Sequence, residues 1–256
     1  MYEQLVESNL EVLEASRSRG LVFDAEKDSA SSLLEAAGLG PGNFVVNCVG
    51  LTKAHIDEAD TKTVERAVRL NVLFPLALAR AAESLDLRVI QVATDCVFSG
   101  SKGQYLESSV HDALDVYGKT KSLGEIKSPK LMHLRCSLIG PENEGRHTLF
   151  FEWVRNAFPN ANLRGFVNHR WNGLTSLAFA RIVAGIVEKE GFIPGLHNLV
   201  PADQVTKYEL IRLELELLGR EDVHVEPVED LESIDRTLAT ESSQVNNLLF
   251  SGGGYE

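Results

Sequence analysis

Residues 87–100 read LRVIQVATDCVFSG, and this stretch decides the fold. Its apolar half, 87–94, breaks off into a small polar turn, the pattern of a strand buried on both faces that ends in a ligand-facing loop of an open parallel sheet. Working outward, 43–49 (NFVVNCV) and 131–137 (LMHLRCS) repeat the near-continuous apolar pattern, and shorter strand candidates lie at 10–13 (LEVL) and 21–23 (LVF). Between them run helical patterns at 29–37, at about 60–84 with an interruption at Phe74-Pro75, and at 115–126. This βαβα rhythm predicts an α/β fold with a doubly wound parallel sheet. After Gly140-Pro141 the pattern loosens into helices at 149–158, 174–188 and 208–218, with short extended pieces near Leu163, 196–200 and 223–225. The spacing predicts a sheet domain over 1–140 and, mainly, a smaller lobe over 141–256, ending in a frayed 251–254 (SGGG) tail.

The composition narrows the function classes. A formal net charge of −12 over 256 residues repels phosphate backbones and anionic lipid, so nucleic acid and membrane are poor partners and a bound anion needs a local cationic pocket. No apolar run approaches the roughly 20 residues a membrane helix needs, and the acidic opening MYEQLVESNLEV is unlike a secretion signal, so a cytoplasmic location is expected. Cys48, Cys96 and Cys136 are far apart and odd in number, which argues for reduced, mostly buried thiols rather than disulfides or zinc. His147, His197 and His224 have no spacing for metal ligation, and no metal is expected.

Four polar features fall at strand ends or on helices. Tyr117-Gly118-Lys119-Thr120-Lys121 sets a phenol and an ammonium four residues apart on one predicted helix face. A phenol exchanges a proton at neutral pH better when a nearby ammonium stabilises the phenolate, so Tyr117 and Lys121 form a sensible acid and tuner, or else an exposed face with solvated lysines. Thr94 ends one strong strand, Asn47-Cys48-Val49-Gly50 ends another, and Asn71 interrupts a helix face of Val64, Val68 and Val72. Each has a plain alternative: Thr94 as a turn cap, Gly50 as a positive-φ residue, Asn71 as a satisfied core amide.

Taken in order, NCVG, NVLFPLALARAAE, VATDCVFSG, DVYGKTKSLGE, RCSLIGPE and the late DRTLAT (235–240) resemble the extended short-chain dehydrogenase/reductase superfamily, in its dTDP-4-dehydrorhamnose reductase-like, sugar-nucleotide-binding branch. The resemblance implies a Rossmann-like domain over 1–140, a substrate-binding lobe over 141–256, and an NADPH- or NADH-dependent reductase of a nucleotide-linked 4-keto-6-deoxy sugar in surface polysaccharide precursor synthesis. It implies Tyr117 as catalytic acid, Lys121 as its tuner and nicotinamide-ribose ligand, Thr94 as the hydroxyl polarising the carbonyl, and Asn71 in a proton relay. Asn47, Val49 and Gly50 would join Tyr117 and Lys121 at the cofactor, and Cys96, Val97 and Phe98 would face the substrate. Cys96 stands where many relatives carry Tyr, and the wording TDCVFSGSKGQY looks more like reductases of UDP-linked amino-sugar pathways. A homodimer is the assembly left open.

The N-terminal part departs from the family's strand–GxxGxxG–helix opening, whose glycines and helix N-terminus hold a pyrophosphate. No such motif precedes Leu10, and Gly38-Leu39-Gly40-Pro41-Gly42 follows a helix and precedes a strand, the order of a helix-ending loop. Residues 1–9 then match the tail of the family's first helix, and its first strand is missing. Arg17 and Arg19 fall where cations would meet a 2′-phosphate, or on a solvated turn, and Asp24 matches the position near the adenine. In the second half, Asn168, Arg170 and Trp171 of NHRWN offer a diphosphate and stacking grip, or an interlobe contact. The alternative to an enzyme is a non-catalytic sugar-nucleotide-binding or regulatory protein, or a truncated inactive reductase.

Overall fold

The computed structural model describes residues 1–8, 10–142 and 149–242, which leaves His147 and the 251–254 tail outside the described residues. The first half runs α1 (Tyr2–Glu7), β1 (Ala15–Ser16), β2 (Leu21–Val22), α2 (Ala30–Ala36), β3 (Phe44–Asn47), α3 (Thr61–Val68), α4 (Phe74–Leu85), β4 (Arg88–Ala93), α5 (Val116–Leu123) and β5 (Leu131–Arg135). It continues through β6 (Leu138–Ile139), α6 (Phe150–Arg155), β7 (Asn162–Phe166), β8 (His169–Trp171), β9 (Leu174–Thr175) and α7 (Ser176–Glu188). The last elements are β10 (Gly195–Asn198), β11 (Val205–Thr206), α8 (Lys207–Leu217), β12 (His224–Val228) and β13 (Ile234–Asp235).

The main sheet is parallel, in the order β10-β5-β4-β3. Its two faces follow from alternation along β4 and β5. The registered pair Ile90 and Met132 packs with Phe179, Ile182, Val183 and Ile186 of α7 and Leu5 of α1. One residue earlier, Val89 and Leu131 point the other way, onto Leu78, Ala79 and Ala82 of α4 and Leu34 of α2. Apolar residues at successive positions are thus buried on opposite faces, as a sheet covered on both sides requires. Of the stretch after residue 140, α7 and β10 return to this sheet. The remainder, with β6 just before it, is built from three small sheets, β7 with β12, β8 between β11 and β13, and β6 with β9, with α6 and α8 packed around Val154, Leu163, Ile211 and Leu215.

The N-terminal strand lies later than the hydropathy pattern predicts. Residues 10–13 are irregular, and the strand is Ala15–Ser16, paired in parallel with Leu21–Val22 as a two-stranded unit separate from the main sheet. Among the described residues β3 is therefore an edge of its sheet. Gly20 closes the intervening turn at φ +65, where an added Cβ would collide with the Glu14 carbonyl. The long helix is interrupted one turn before Phe74-Pro75, because Pro75 has no N–H to give the Asn71 carbonyl four residues back, and Arg69–Leu73 widens into a π turn. As whole residues Cys136 is buried, Cys96 half-buried and Cys48 exposed, while burial raises the pKa of all three thiols. Among the described residues no helix is long and apolar enough to cross a membrane, and no three His, Cys, Asp or Glu side chains gather as metal ligands.

Candidate active site

The site forms where β4 ends. Thr94 leaves the strand extended, and its hydroxyl accepts from the Cys96 N–H at 3.2 Å, starting a 3-10 turn over Asp95–Val97. The turn capping foreseen for Thr94 is thus present, and the same hydroxyl also meets the Tyr117 phenol. Asp115 starts α5 by accepting from Gly118 N–H at 2.8 Å, and it is held by Lys53 Nζ at 2.9 Å. Gly118 explains the glycine of YGKTK: a Cβ there would collide with Ala113 Cβ and the Cys96 carbonyl oxygen, so α5 can lie on the 94–98 turn only without one. That contact brings Tyr117 against Thr94.

Lys121, one turn further along α5, donates to the Val92 carbonyl at 2.9 Å. Gly50 does not have a positive φ; its role is close approach, since a Cβ would stand 3.3 Å from Asn71 Oδ1 and 4.0 Å from Lys121 Nζ. Burial lowers the Lys121 ammonium pKa, against the pull of Glu125, Cys48 and Cys96. The Tyr117 phenol is pushed above its usual range by burial and by Cys96, Asp95 and Asp115, with the Thr94 hydrogen bond opposing. This corrects the expected tuning: in the protein alone Lys121 is engaged by a carbonyl and offset by Glu125, and Tyr117 remains a protonated, weak acid. Cys96 beside it is pushed up to about 12 by burial and the Asp95 charge.

Several expected contacts are otherwise engaged. Asn71 is buried with its amide satisfied, Oδ1 accepting from Leu51 N at 2.8 Å and Nδ2 donating to Leu51 O and Thr120 Oγ1, each at 3.1 Å. Its side chain fastens the π turn to the end of β3 and to α5, the core-amide role rather than a relay. Asn47 donates to Gln91 Oε1 at 2.7 Å and accepts from Val49 N at 3.0 Å, which ties β3 to β4 and engages its buried amide within the protein. Val97 and Phe98 are corrections: both are fully buried with Tyr105 and Leu238, and Phe98 stacks on Tyr105 at 4.1 Å, so neither side chain can touch a substrate. Asn168 spends both polar atoms on the backbone of Asp230, and Arg170 is exposed near Glu209. Trp171 does join the site, half-buried with Lys207 Nζ over its ring at 5.5 Å.

The tertiary structure adds Lys207, Arg236 and Asp95. Lys207 also lies over Phe150 at 4.5 Å, and it faces Asp95, Cys96, Glu214 and Arg236, with burial lowering its pKa. Arg236, from the DRTLAT segment, donates through Nε to the Phe98 carbonyl at 3.0 Å. Asp95 is buried and its carboxyl raised by that burial, against the pull of Arg236 and Lys207. One sequence signal could have found Lys207: it lies inside a Thr206/Glu209 capping box, and a cation in a helix's first turn opposes the dipole, so it calls for another reason.

Toward a dinucleotide the residues fit at one end. Gly50 after β3 and Lys121, which is bonded to the Val92 carbonyl of β4, approach one another at the ends of these strands. Arg17 and Arg19 are exposed on the β1–β2 turn, and Arg17 acts on Asp24, whose carboxyl is lowered first by the Glu26 N–H and then by Lys27. Among the described residues no glycine-rich turn opens a helix to receive a diphosphate. Gly38 and Gly42 sit at positive φ between α2 and β3, the helix-ending loop that the sequence order indicates.

The chain was compared with known proteins. It is 34% identical over 198 residues to a dTDP-4-dehydrorhamnose reductase of Mycolicibacterium smegmatis, covering 73% of this chain and 57% of that one. It is 25% identical over 202 residues to methionine adenosyltransferase 2 subunit beta of Xenopus tropicalis, covering 73% of this chain and 58% of that one. It thus spans less than two thirds of the length of these curated relatives. Among solved structures, the dTDP-4-dehydrorhamnose reductase of Bacillus anthracis in complex with NADP superposes with a TM-score of 0.68 at 15% identity, over 91% of this chain and 82% of that one, which shows the shared fold. The RmlD substrate binding domain family model matches residues 1–247, and the chain belongs to that family.

Proposed function

We propose that the chain is a reductase of a nucleotide-linked 4-keto-6-deoxy sugar, using NADPH or NADH. The observation that carries this reading is the convergence of the Thr94 and Tyr117 hydroxyls at the end of β4, with Lys121 one turn further along α5 and bonded to the Val92 carbonyl of the same strand. A bound nicotinamide supplies the hydride. Thr94 and Tyr117 then donate to the substrate carbonyl oxygen, and Tyr117 passes its proton to the oxygen as charge develops there. Lys121, held by the Val92 carbonyl, would hold the sugar of a bound cofactor and would stabilise the phenolate left behind. Lys207 and Arg236 meet the diphosphate of the nucleotide sugar, and Trp171 offers a stacking face.

Tyr117→Phe is the test. It deletes one hydroxyl and keeps the ring, so turnover of a nucleotide-linked 4-keto-6-deoxy sugar with NADPH should fall by about 10²–10⁴-fold while sugar-nucleotide affinity stays within a few-fold. Turnover within a few-fold of the parent would show that the proton comes from elsewhere. A second reading, a sugar-nucleotide-binding protein without turnover, is favoured by the likeness to a protein named as a subunit. Binding of the nucleotide sugar by the parent chain, with no oxidation of NADPH, would decide for it.

A further inference from the structure

Glu214 lies on α8 seven residues after Lys207, hence on the same helix face two turns away. It is 5% exposed, and neither carboxyl oxygen has a hydrogen-bond partner. Lys207 is the charged group that acts on it. Among the described residues the neighbouring elements offer no other. On α6, Glu152 accepts from Asn156 and meets Arg155, which is exposed. Arg164 of β7, His224 and Glu226 of β12, and Arg170 of β8 are exposed, while His169 of β8 faces Glu232 O and Asp230. On α8 itself Glu209, Arg212 and Glu216 are exposed.

A buried carboxylate without donors retains its charge only as long as a cation compensates it. Lys207 is that cation, and it is also turned toward Asp95, Cys96 and Arg236 at the end of β4. We propose that Glu214 couples anion binding to proton uptake: when a diphosphate-bearing ligand engages Lys207 and Arg236, Glu214 takes one proton from solvent. This rests on the reading of Lys207 and Arg236 as the diphosphate-facing pair. Burial lifts the Glu214 carboxyl to about 7, against the pull of Lys207, so near neutral pH a small change in that cation's surroundings moves its proton. A ligand anion beside Lys207 weakens the compensation and drives the carboxylate to its neutral form. Glu214 is a positioning residue here, acting through Lys207.

Calorimetric titration of the full chain with dTDP-glucose tests this, because the diphosphate diester does not itself titrate near neutrality. Heats in buffers of low and high ionisation enthalpy give the proton count. For the parent we expect about half a proton taken up per ligand at pH 7 and close to one at pH 8, with Kd rising roughly tenfold between pH 6 and pH 8. Glu214→Gln should take up no proton and bind at pH 8 as tightly as the parent does at pH 6. Parent-like proton uptake in Glu214→Gln, or a parent whose affinity is flat with pH, overturns the coupling while leaving the anion site standing. Parent-like affinity in Lys207→Met overturns the anion-site reading and the coupling with it. The parent's own proton count requires no variant, and Glu214→Ala should repeat the Gln result.

Discussion

Removing Glu125 should unfold the end of the helix that carries Lys121, and its size can be worked from the geometry. Arg135 lies on β5 with no exposed surface, and its guanidinium is matched by Glu125 through Nε–Oε1 at 3.1 Å and Nη2–Oε2 at 2.5 Å. Asn198 Oδ1 accepts from Nη1 at 3.3 Å, His111 Nε2 accepts from Nη2 at 2.7 Å, and the Phe98 ring lies 5.0 Å away. Glu125 directly follows the Gly124 cap of α5, so this pair joins the sheet to the site helix. Glu125→Ala leaves a guanidinium with no carboxylate in a dry interior, a loss of about 3–5 kcal/mol for one partner of a buried pair. The double variant Glu125→Leu/Arg135→Met removes both charges and should regain most of that loss, since such pairs contribute little beyond well-packed apolar residues. Urea unfolding of the parent, the single and the double variant measures all three. A single variant within about 1 kcal/mol of the parent would refute the reasoning, for it would mean that Arg135 is solvated or otherwise compensated.

His111 ties the same network to pH. Arg135 can only donate, so Nε2 accepts and the ring is neutral, with Nδ1 donating to Ser122 Oγ at 2.7 Å. Burial lowers its pKa, with Arg135 adding to this and Glu125 opposing. The unfolded chain therefore binds the proton first, so this stability is complete above about pH 6.5 and is lost as pH falls, by up to about 1.4 kcal/mol per pH unit; His111→Gln should flatten that slope in urea titrations at pH 5 to 7. Gly118→Ala should force α5 off the Cys96 carbonyl, costing about 1–3 kcal/mol by thermal unfolding and lowering turnover more than Kd; full activity would show that the close approach is not needed. If Arg17 and Arg19 meet a 2′-phosphate, replacing both with Ser should weaken NADPH far more than NADH, each lost charge-assisted bond being worth about 1.5–3 kcal/mol. Equal weakening of the two cofactors, measured by fluorescence titration, would remove that role.

The alternating architecture was legible from local pattern. Apolar runs at 43–49, 87–94 and 131–137, each ending in small or polar residues, announce strands covered on both faces, and β3, β4 and β5 lie within them. The YGKTK spacing likewise placed Tyr117 and Lys121 one turn apart on α5, because helical periodicity is a property of the chain next to itself. Partners distant in sequence decided the rest. The first strand falls at Ala15–Ser16 rather than in the more apolar 10–13, because its pairing with Leu21–Val22 across the Gly20 turn sets the register. Nothing in TDCVFSG separates Cys96 from Val97 and Phe98, yet the 3-10 turn sends the latter two into the core beside Leu238, 140 residues away. Arg135 hides in a strand that reads as wholly buried, and only the folded chain brings Glu125, His111 and Asn198 to its charge. Lys207 and Arg236 come to the 94–98 turn, and Glu214 to Lys207, for the same reason: periodicity encodes which face of an element is apolar, whereas the electrostatic surroundings of a polar side chain exist only once separate elements have packed together.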